Sequence, residues 1–399
     1  MMDTVDGQDG QERQEPKLWN SNFILFLTVN TVAFLSFQIL MPMLPVYGLG
    51  FSATESQIGF LAASISIAAV IIRPFSGALA DRNNSKRIIL LTQLGTAAVI
   101  VLFMAAPNIV VLIAARFVHG LLFGLGSTAV TVCAIRTMPE SRMGEGIGIL
   151  SVTGLGSLAV APAIGIWVSE RWGYPALFVF TCLIAAAAAF IVLAAKPEFV
   201  LPREAEENSF RFSFRGLFAV EALGLTGLQF IFTATTATIT NFLVIFAGTR
   251  SIQNIGLYFL IYAVMTIIVR LLGAGLSDRY PFTRLVPVCA VLCVCGLAVI
   301  GFSSSILPLC VAAVLIGTGY GIVVPVIQTN AVRAVSPDRR GIASATFYFG
   351  MDFGFVAGPL SMGFIAEAAG YGAGFLCFIA PVAASIPLTF LLGRRRVMK

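Results

Sequence analysis

The sequence predicts an all-α membrane protein with twelve transmembrane helices in two pseudo-symmetric six-helix halves. Three observations lead there. The 399 residues are 58% hydrophobic and only 11% charged, with mean hydropathy +0.93, whereas a soluble chain carries roughly 25% charged residues. Twelve apolar stretches reach the length of about 20 residues that a bilayer crossing needs. Distinctive residues also recur at a constant offset of 197 positions. This composition excludes an ordinary soluble enzyme, and it excludes a disordered chain, which needs low hydrophobicity and high charge.

Taken in order, residues 1–17 are polar and acidic and lack an apolar run. A disordered tail is expected there, and no secretory signal, which needs a basic start and an apolar core. The N-terminal six-helix bundle, 18–195, holds apolar segments at 22–46, 54–80, 87–105, 109–135, 145–168 and 175–195. Lys196–Arg215 is the long polar connection, a hinge between the halves. The C-terminal bundle, 216–392, holds segments at 216–247, 254–277, 283–303, 306–334, 341–367 and 371–392, and a basic tail follows at 393–399. Most segments exceed the minimum, so tilt or protrusion into water is expected.

Charge placement sets orientation. Of the 25 Lys and Arg residues, 20 fall in loops and tails on the side of the N-terminus, and only Arg171 and Arg250 fall in the opposite loops. Both termini are therefore expected in the cytoplasm. The same asymmetry explains the net charge of +6 and the pI of 9.1 through contact with anionic lipid, without nucleic acid. The single histidine and seven cysteines include no CxxC pair. The cysteines read as small buried apolar residues, and no metal site is expected.

The offset of 197 places Ile58-Gly59 on Ile255-Gly256, Arg73 on Arg270, and Leu79, Asp81 and Arg82 on Leu276, Asp278 and Arg279. It also places Gly120 and Gly124 on Gly317 and Gly321, and Pro162 on Pro359. Two halves of like topology, related by an axis along the membrane normal, follow. In such repeat architectures a solute site lies near the midplane between the halves.

After segment 2 the chain reads RPFSGALADRNNSKR. This resembles the G-x-L-a-D-R-x-G-R-[KR] signature of the major facilitator superfamily, with Gly77, Leu79, Asp81, Arg82 and Lys86 in place. Asn84 stands where glycine is expected, and Asn also tolerates a left-handed turn. Ser85 stands where arginine is expected. Segment 8 carries the second copy, RLLGAGLSDRY. Segment 4, RFVHGLLFG, is similar to the R-x-x-x-G motif of twelve-helix exporters, and LSFQILMPMLP in segment 1 is similar to their proline pattern. SLAVAPAIGI in segment 5 resembles a degraded antiporter motif that keeps Pro162 and Gly165; its repeat in segment 11, GFVAGPLSMG, keeps Gly354, Gly358 and Pro359. The resemblance covers nearly the whole chain and points to the drug:proton antiporter-like branch. It implies gating at the two loops by Gly77, Asp81, Arg82, Asp278 and Arg279, with Arg73 and Arg270 alongside. Each carboxylate would latch the halves against a facing helix end or an arginine.

A charge at the bilayer centre costs at least ~2.5–3.5 kcal/mol, so each one needs a reason. Arg116 sits on segment 4, which lines the cavity in the family, and His119 lies one helical turn on, on roughly the same face. Asp352 is the deepest carboxylate and the candidate proton carrier, with Arg116 and His119 as partners in proton coupling. Arg73 lies at a comparable depth, eight residues or ~12 Å before Asp81. Because helices 2 and 11 meet in the family, an Arg73–Asp352 pair is expected. Glu221 lies nearer the cytoplasm and is expected to snorkel to water. Segment 1, where many relatives carry an acid, offers only Asn30 and Gln38. Expected substrate contacts are Asn30, Phe34, Gln38, Arg116, Gln229, Thr233, Asn241 and Tyr320.

The sequence carries no Walker, GxSxG, HExxH or EF-hand motif, so no enzyme activity and no cofactor beyond a coupling proton are expected. The expectation is a secondary active exporter of a small amphipathic organic solute, driven by proton influx through rocking of the halves. The alternative is a facilitator or proton symporter of a small anionic metabolite, with Arg116 and His119 as the anion site. A monomer in a prokaryotic inner membrane, with the small-molecule substrate and membrane lipid as its partners, completes the reading.

Overall fold

In the computed structural model, residues 18–82, 84–139, 142–196, 219–273, 275–336 and 339–397 are described. Among them there are helices and no strands. The first four are α1 (Ser21–Leu49), α2 (Glu55–Arg82), α3 (Ser85–Ala105) and α4 (Ile109–Arg136). Asparagine begins three of these. The side chain of Asn20 accepts from the Phe23 N–H at 2.8 Å, and that of Asn108 from the Val111 N–H at 3.0 Å. Asn84 accepts from the N–H groups of Lys86 and Arg87. Each fills donors that a helix start leaves open. Asn84 does not use the left-handed region that asparagine tolerates: its φ is −67°, and its side-chain oxygen caps α3.

The next helix, Met143–Val192, is broken at Gly173, whose φ of 79° no side-chain-bearing residue adopts cheaply. It therefore forms two crossings, α5 (143–172) and α6 (174–192). A 3-10 turn, Val220–Ala222, leads into α7 (Leu223–Thr249), followed by α8 (Gly256–Leu272), α9 (Phe282–Phe302) and α10 (Ile306–Arg333). Arg340–Cys377 breaks at Gly370 (φ 80°) in the same way. It yields α11 (340–369), then a piece that runs on through Phe378 into Ile379–Val397 as α12 (371–397). Gly173 and Gly370 are themselves 197 residues apart, so the repeat extends to the backbone reversals. The helix continues through the first residues of the expected basic tail. Residues 1–17 and 197–215, where the tail and most of the linker were expected, lie outside the described residues.

Both halves are wired alike. In the first, Asn30 meets Thr153 and Met43 meets Ser169, so α1 and α5 run parallel. The Cys182 thiol meets the Ala97 carbonyl, and Lys86 reaches the carbonyls of Leu193 and Ala195, so α3 and α6 run antiparallel. That lysine satisfies the open C-terminal end of α6. In the second half, Gly350 lies against Thr226 and Gly358 against Ala234, which sets α7 parallel to α11. Gly301 lies against Leu376 and Gly393 against Thr283, which sets α9 antiparallel to α12.

The outer surface is apolar. Leu91, Leu183, Phe190 and Phe302 are all more than 60% exposed, which suits lipid and not water. Nine described helices are long and apolar enough to cross a bilayer, and Gly256–Leu272 is a shorter apolar helix. The reversals inside the Val160–Val192 and Ile342–Arg394 spans bring the crossings to twelve. One segment departs from expectation. The apolar run 254–277 was expected as a single span, but α8 stops at Leu272, and after Gly275 (φ 84°) the chain makes one short turn, Leu276–Arg279. Cysteine burial departs too: Cys133, Cys289 and Cys293 are buried as expected, whereas Cys295 and Cys377 are exposed.

Candidate functional site

The seam between the halves begins with two glycines. A Cβ placed on Gly59 of α2 would meet the Pro359 carbonyl oxygen at 2.8 Å and Gly363 Cα at 3.1 Å, so α2 and α11 touch backbone to backbone. Phe60 and Phe364 cross edge to face beside them, with centroids 6.0 Å apart. At the start of α2 the Tyr371 hydroxyl donates to the Glu55 carboxylate, and the Ser56 N–H donates to Glu367 Oε2 at 3.0 Å. On the other side of the seam, Gly256 of α8 faces Ala163 and Ile166 of α5. These contacts all lie at the end of the bundle away from the described termini.

Deeper in the same seam, Arg73 Nε lies 3.1 Å from Asp352 Oδ2, the pair expected from the sequence. The Asp352 side chain is 12% exposed and that of Arg73 is 40%. The carboxylate is therefore shielded while the guanidinium still reaches the surroundings. A contact across two bodies at this depth is held only while they stay together, and the burial of the carboxylate makes it costly to leave Asp352 charged without its partner.

Arg116 and His119 form a second cluster within the N-terminal half. Both are 1% exposed. Arg116 Nη1 lies 3.2 Å from His119 Nδ1, and Nη2 donates to Met41 Sδ at 3.4 Å. The guanidinium carbon stands 6.0 Å from the centroid of Phe37. Phe37 stacks on Phe123 at 3.8 Å, and Phe34 meets Phe123 edge-on at 5.4 Å. Aromatic faces and a thioether thus surround a buried cation, and no carboxylate is among its described contacts. Gly120 makes the helix position possible: a Cβ there would lie 2.2 Å from the Ile65 carbonyl oxygen of α2.

The remaining expected substrate contacts divide. Asn30 donates to Thr153 Oγ1 at 2.9 Å and is occupied within its own half. Gln229 donates to Thr233 Oγ1 at 2.8 Å, and Asn241 Nδ2 donates to the Ala237 carbonyl at 2.8 Å. The acceptor oxygens of Gln38, Gln229 and Asn241 are buried without a protein partner, as is the Tyr258 hydroxyl. Tyr320 is buried at 7% exposure. Glu221 does not snorkel alone; it lies in the 3-10 turn before α7 and pairs with Arg339 at 2.8 Å. Gly77, Asp81, Arg82 and Asp278 are described as helical backbone only, so the latch contacts expected of them lie outside the described residues. Arg279 is exposed at the end of its short turn, and Arg270 Nε is buried without a partner.

Sequence reasoning did not single out Met41, Phe37 and Phe123 around Arg116, or the Glu55, Ser56, Glu367 and Tyr371 contacts. The repeat held a signal for two of them: Glu367 and Tyr371 sit 197 positions from Glu170 and Tyr174.

The sequence model of the Major Facilitator Superfamily matches residues 26–300 and 225–399. The multidrug resistance protein MdtG of Serratia proteamaculans is 26% identical over 375 residues, covering 90% of this chain and 91% of that protein. MdtG of Escherichia coli K12 is 26% identical over 380 residues, covering 92% of each. Among solved structures, a mutant of the nucleoside transporter NupG superposes with TM-score 0.75 at 14% identity, covering 93% of this chain and 99% of that one. A bacterial homologue of the human lysosomal transporter Spinster, inward-facing and occupied, superposes with TM-score 0.74 at 14% identity, covering 93% and 96%. The matches run through both halves and almost from end to end, and the chain, a multi-pass integral membrane protein, belongs to the major facilitator superfamily.

Proposed function

We propose that the protein is a proton-coupled exporter of a small amphipathic organic solute, working by alternating access in a bacterial inner membrane as a monomer with both termini in the cytoplasm. The Arg73–Asp352 pair is the observation that carries this reading. It joins the two halves, so an inward–outward rocking motion must break or remake it. Protonation of Asp352 removes its charge and with it the attraction to Arg73. A proton bound there changes the energy difference between the two conformations, which is what coupling requires. On this reading the glycine contact and the Glu55 and Glu367 hydrogen bonds close the extracellular side. Asp81 and Asp278 latch the cytoplasmic side in the opposite state. The MdtG relatives, named for multidrug resistance, support an export role.

The solute would lie between aromatic walls such as Phe34, Phe37 and Phe123. The partnerless oxygens of Gln38, Gln229 and Asn241 favour a solute with N–H or O–H donors. In proteoliposomes, flux of a panel of dyes, sugars, chelators and organic anions is to be measured with and without a pH gradient. Export of an amphipathic dye that grows with an inwardly directed proton gradient supports the reading; accumulation, or flux indifferent to the gradient, refutes it.

One observation favours a second reading. Arg116 is a fully buried cation without a carboxylate among its described contacts, and an anionic solute group would complete it. The protein would then be a facilitator or symporter of a small anionic metabolite, and the organic anions of the same panel would be the transported species.

A further inference from the structure

The two halves treat one pair of equivalent arginines differently. Arg73 in α2 finds Asp352. Its mate at the 197 offset is Arg270 in α8, and the residue standing 197 positions before Asp352 is Leu155. The chain supplies no carboxylate at the matching place, and Arg270 Nε is buried without a hydrogen-bond partner. The backbone differs at the same point. α2 runs unbroken to Arg82, whereas α8 stops at Leu272, where Gly273 and Gly275 replace the equivalents of Ser76 and Ala78.

A cavity of about 290 Å³ lies against this break, between α8 and α10. Arg270 stands on one wall, Thr329 and Arg333 on the other, and Gly321 and Pro325 on α10 help line it; the lining residues described include no carboxylate. A water molecule takes about 30 Å³ in the liquid, so the space admits a phosphoryl group with the atoms bonded to it. Guanidinium forks match phosphate oxygens in geometry and charge, and the threonine hydroxyl adds a donor. Leu271 and Leu272 beside the cavity are 70% and 81% exposed, so apolar surface flanks its edge.

We propose that this cavity is a binding site for a phosphate group, with Arg270 as its anchor and Thr329 as a further contact, and with Arg333 on the wall adding positive charge. Two sources carry that chemistry: a soluble phosphate and the headgroup of an anionic phospholipid. The residues that line the cavity all belong to the second half, on α8, the short turn after it and α10, so the proposal does not depend on which way solute moves.

The test uses the full chain, delipidated in neutral detergent, with thermal unfolding as the readout. One arm adds inorganic phosphate, with sodium chloride at matched ionic strength as control. The other adds short-chain phosphatidylglycerol, with short-chain phosphatidylcholine as control. Two variants accompany the wild type: Arg270→Gln removes the charge, and Val269→Phe fills the cavity while both arginines remain. A rise of Tm in either arm, absent from both variants, supports the site, and the responding arm names the source. No rise in either arm, or a rise that persists in either variant, overturns it.

Discussion

Arg73 and Asp352 stand 3.1 Å apart, one on the second helix of the first half and the other on the fifth helix of the second. A motion that parts α2 from α11 at this depth breaks that contact. If the pair links protonation to motion, Asp352→Asn should lose gradient-driven flux by roughly tenfold or more, the effect of about 1.4 kcal/mol on the limiting barrier. Exchange of solute without a gradient should survive. Driven flux at the wild-type level in proteoliposomes would remove Asp352 from the coupling.

Arg116 is held by His119, Met41 and Phe37. Arg116→Ala should weaken transport, and Arg116→Lys should restore only part of it, because a compact ammonium cannot reproduce the planar fork. The measurement is initial flux at fixed protein density in the vesicles. A fully active alanine variant would make this arginine a packing element.

Gly59 and Gly363 allow the backbones of α2 and α11 to touch. Gly59→Val puts atoms where Pro359 and Gly363 already are, and such overpacking costs about 1–3 kcal/mol. That cost falls only on the conformation in which the helices meet, so the population should shift away from it. A cysteine introduced at Phe364 should then react faster with a water-soluble thiol reagent. An unchanged rate would mean that this contact does not report the state of the gate.

Gly370 has φ 80° and no heavy atom within 4 Å of where a Cβ would stand. Gly370→Ala therefore meets backbone strain alone, about 1–3 kcal/mol for a positive φ combined with an extended ψ of 163°, and should lower Tm by a few degrees. The same change at Gly173, φ 79°, should act alike. Scanning fluorimetry of the detergent-purified protein checks both; an unaltered Tm in both variants would contradict the assignment of these glycines as the reversals.

How far the sequence reached follows from what each signal encodes. Apolar length and the 197 offset located the crossings, because lipid imposes both a minimum span and an apolar surface. The Arg73–Asp352 pair was legible because two depths could be counted in helical rise from the charged loops and the resemblance to the family implied that helices 2 and 11 meet. The break in α8 was not, since hydropathy averaged over 254–277 carries no information about φ at Gly275. The setting of Arg116 was hidden for a different reason. Which faces of α1 and α4 meet depends on helix rotation, and that is decided by contacts such as Gly120 on Ile65. Comparison with the glycine of the signature drew attention to the backbone tolerance of Asn84, while its side-chain oxygen is what α3 uses.

The central claim is that the two halves rock about the seam, and a reversible cross-link tests it most directly. Phe60 and Phe364 pack edge to face across the gap between α2 and α11. In a background freed of its seven native cysteines, cysteines at these two positions should form a disulfide that stops flux, and reductant should restore it. Full transport with the disulfide intact would contradict the account.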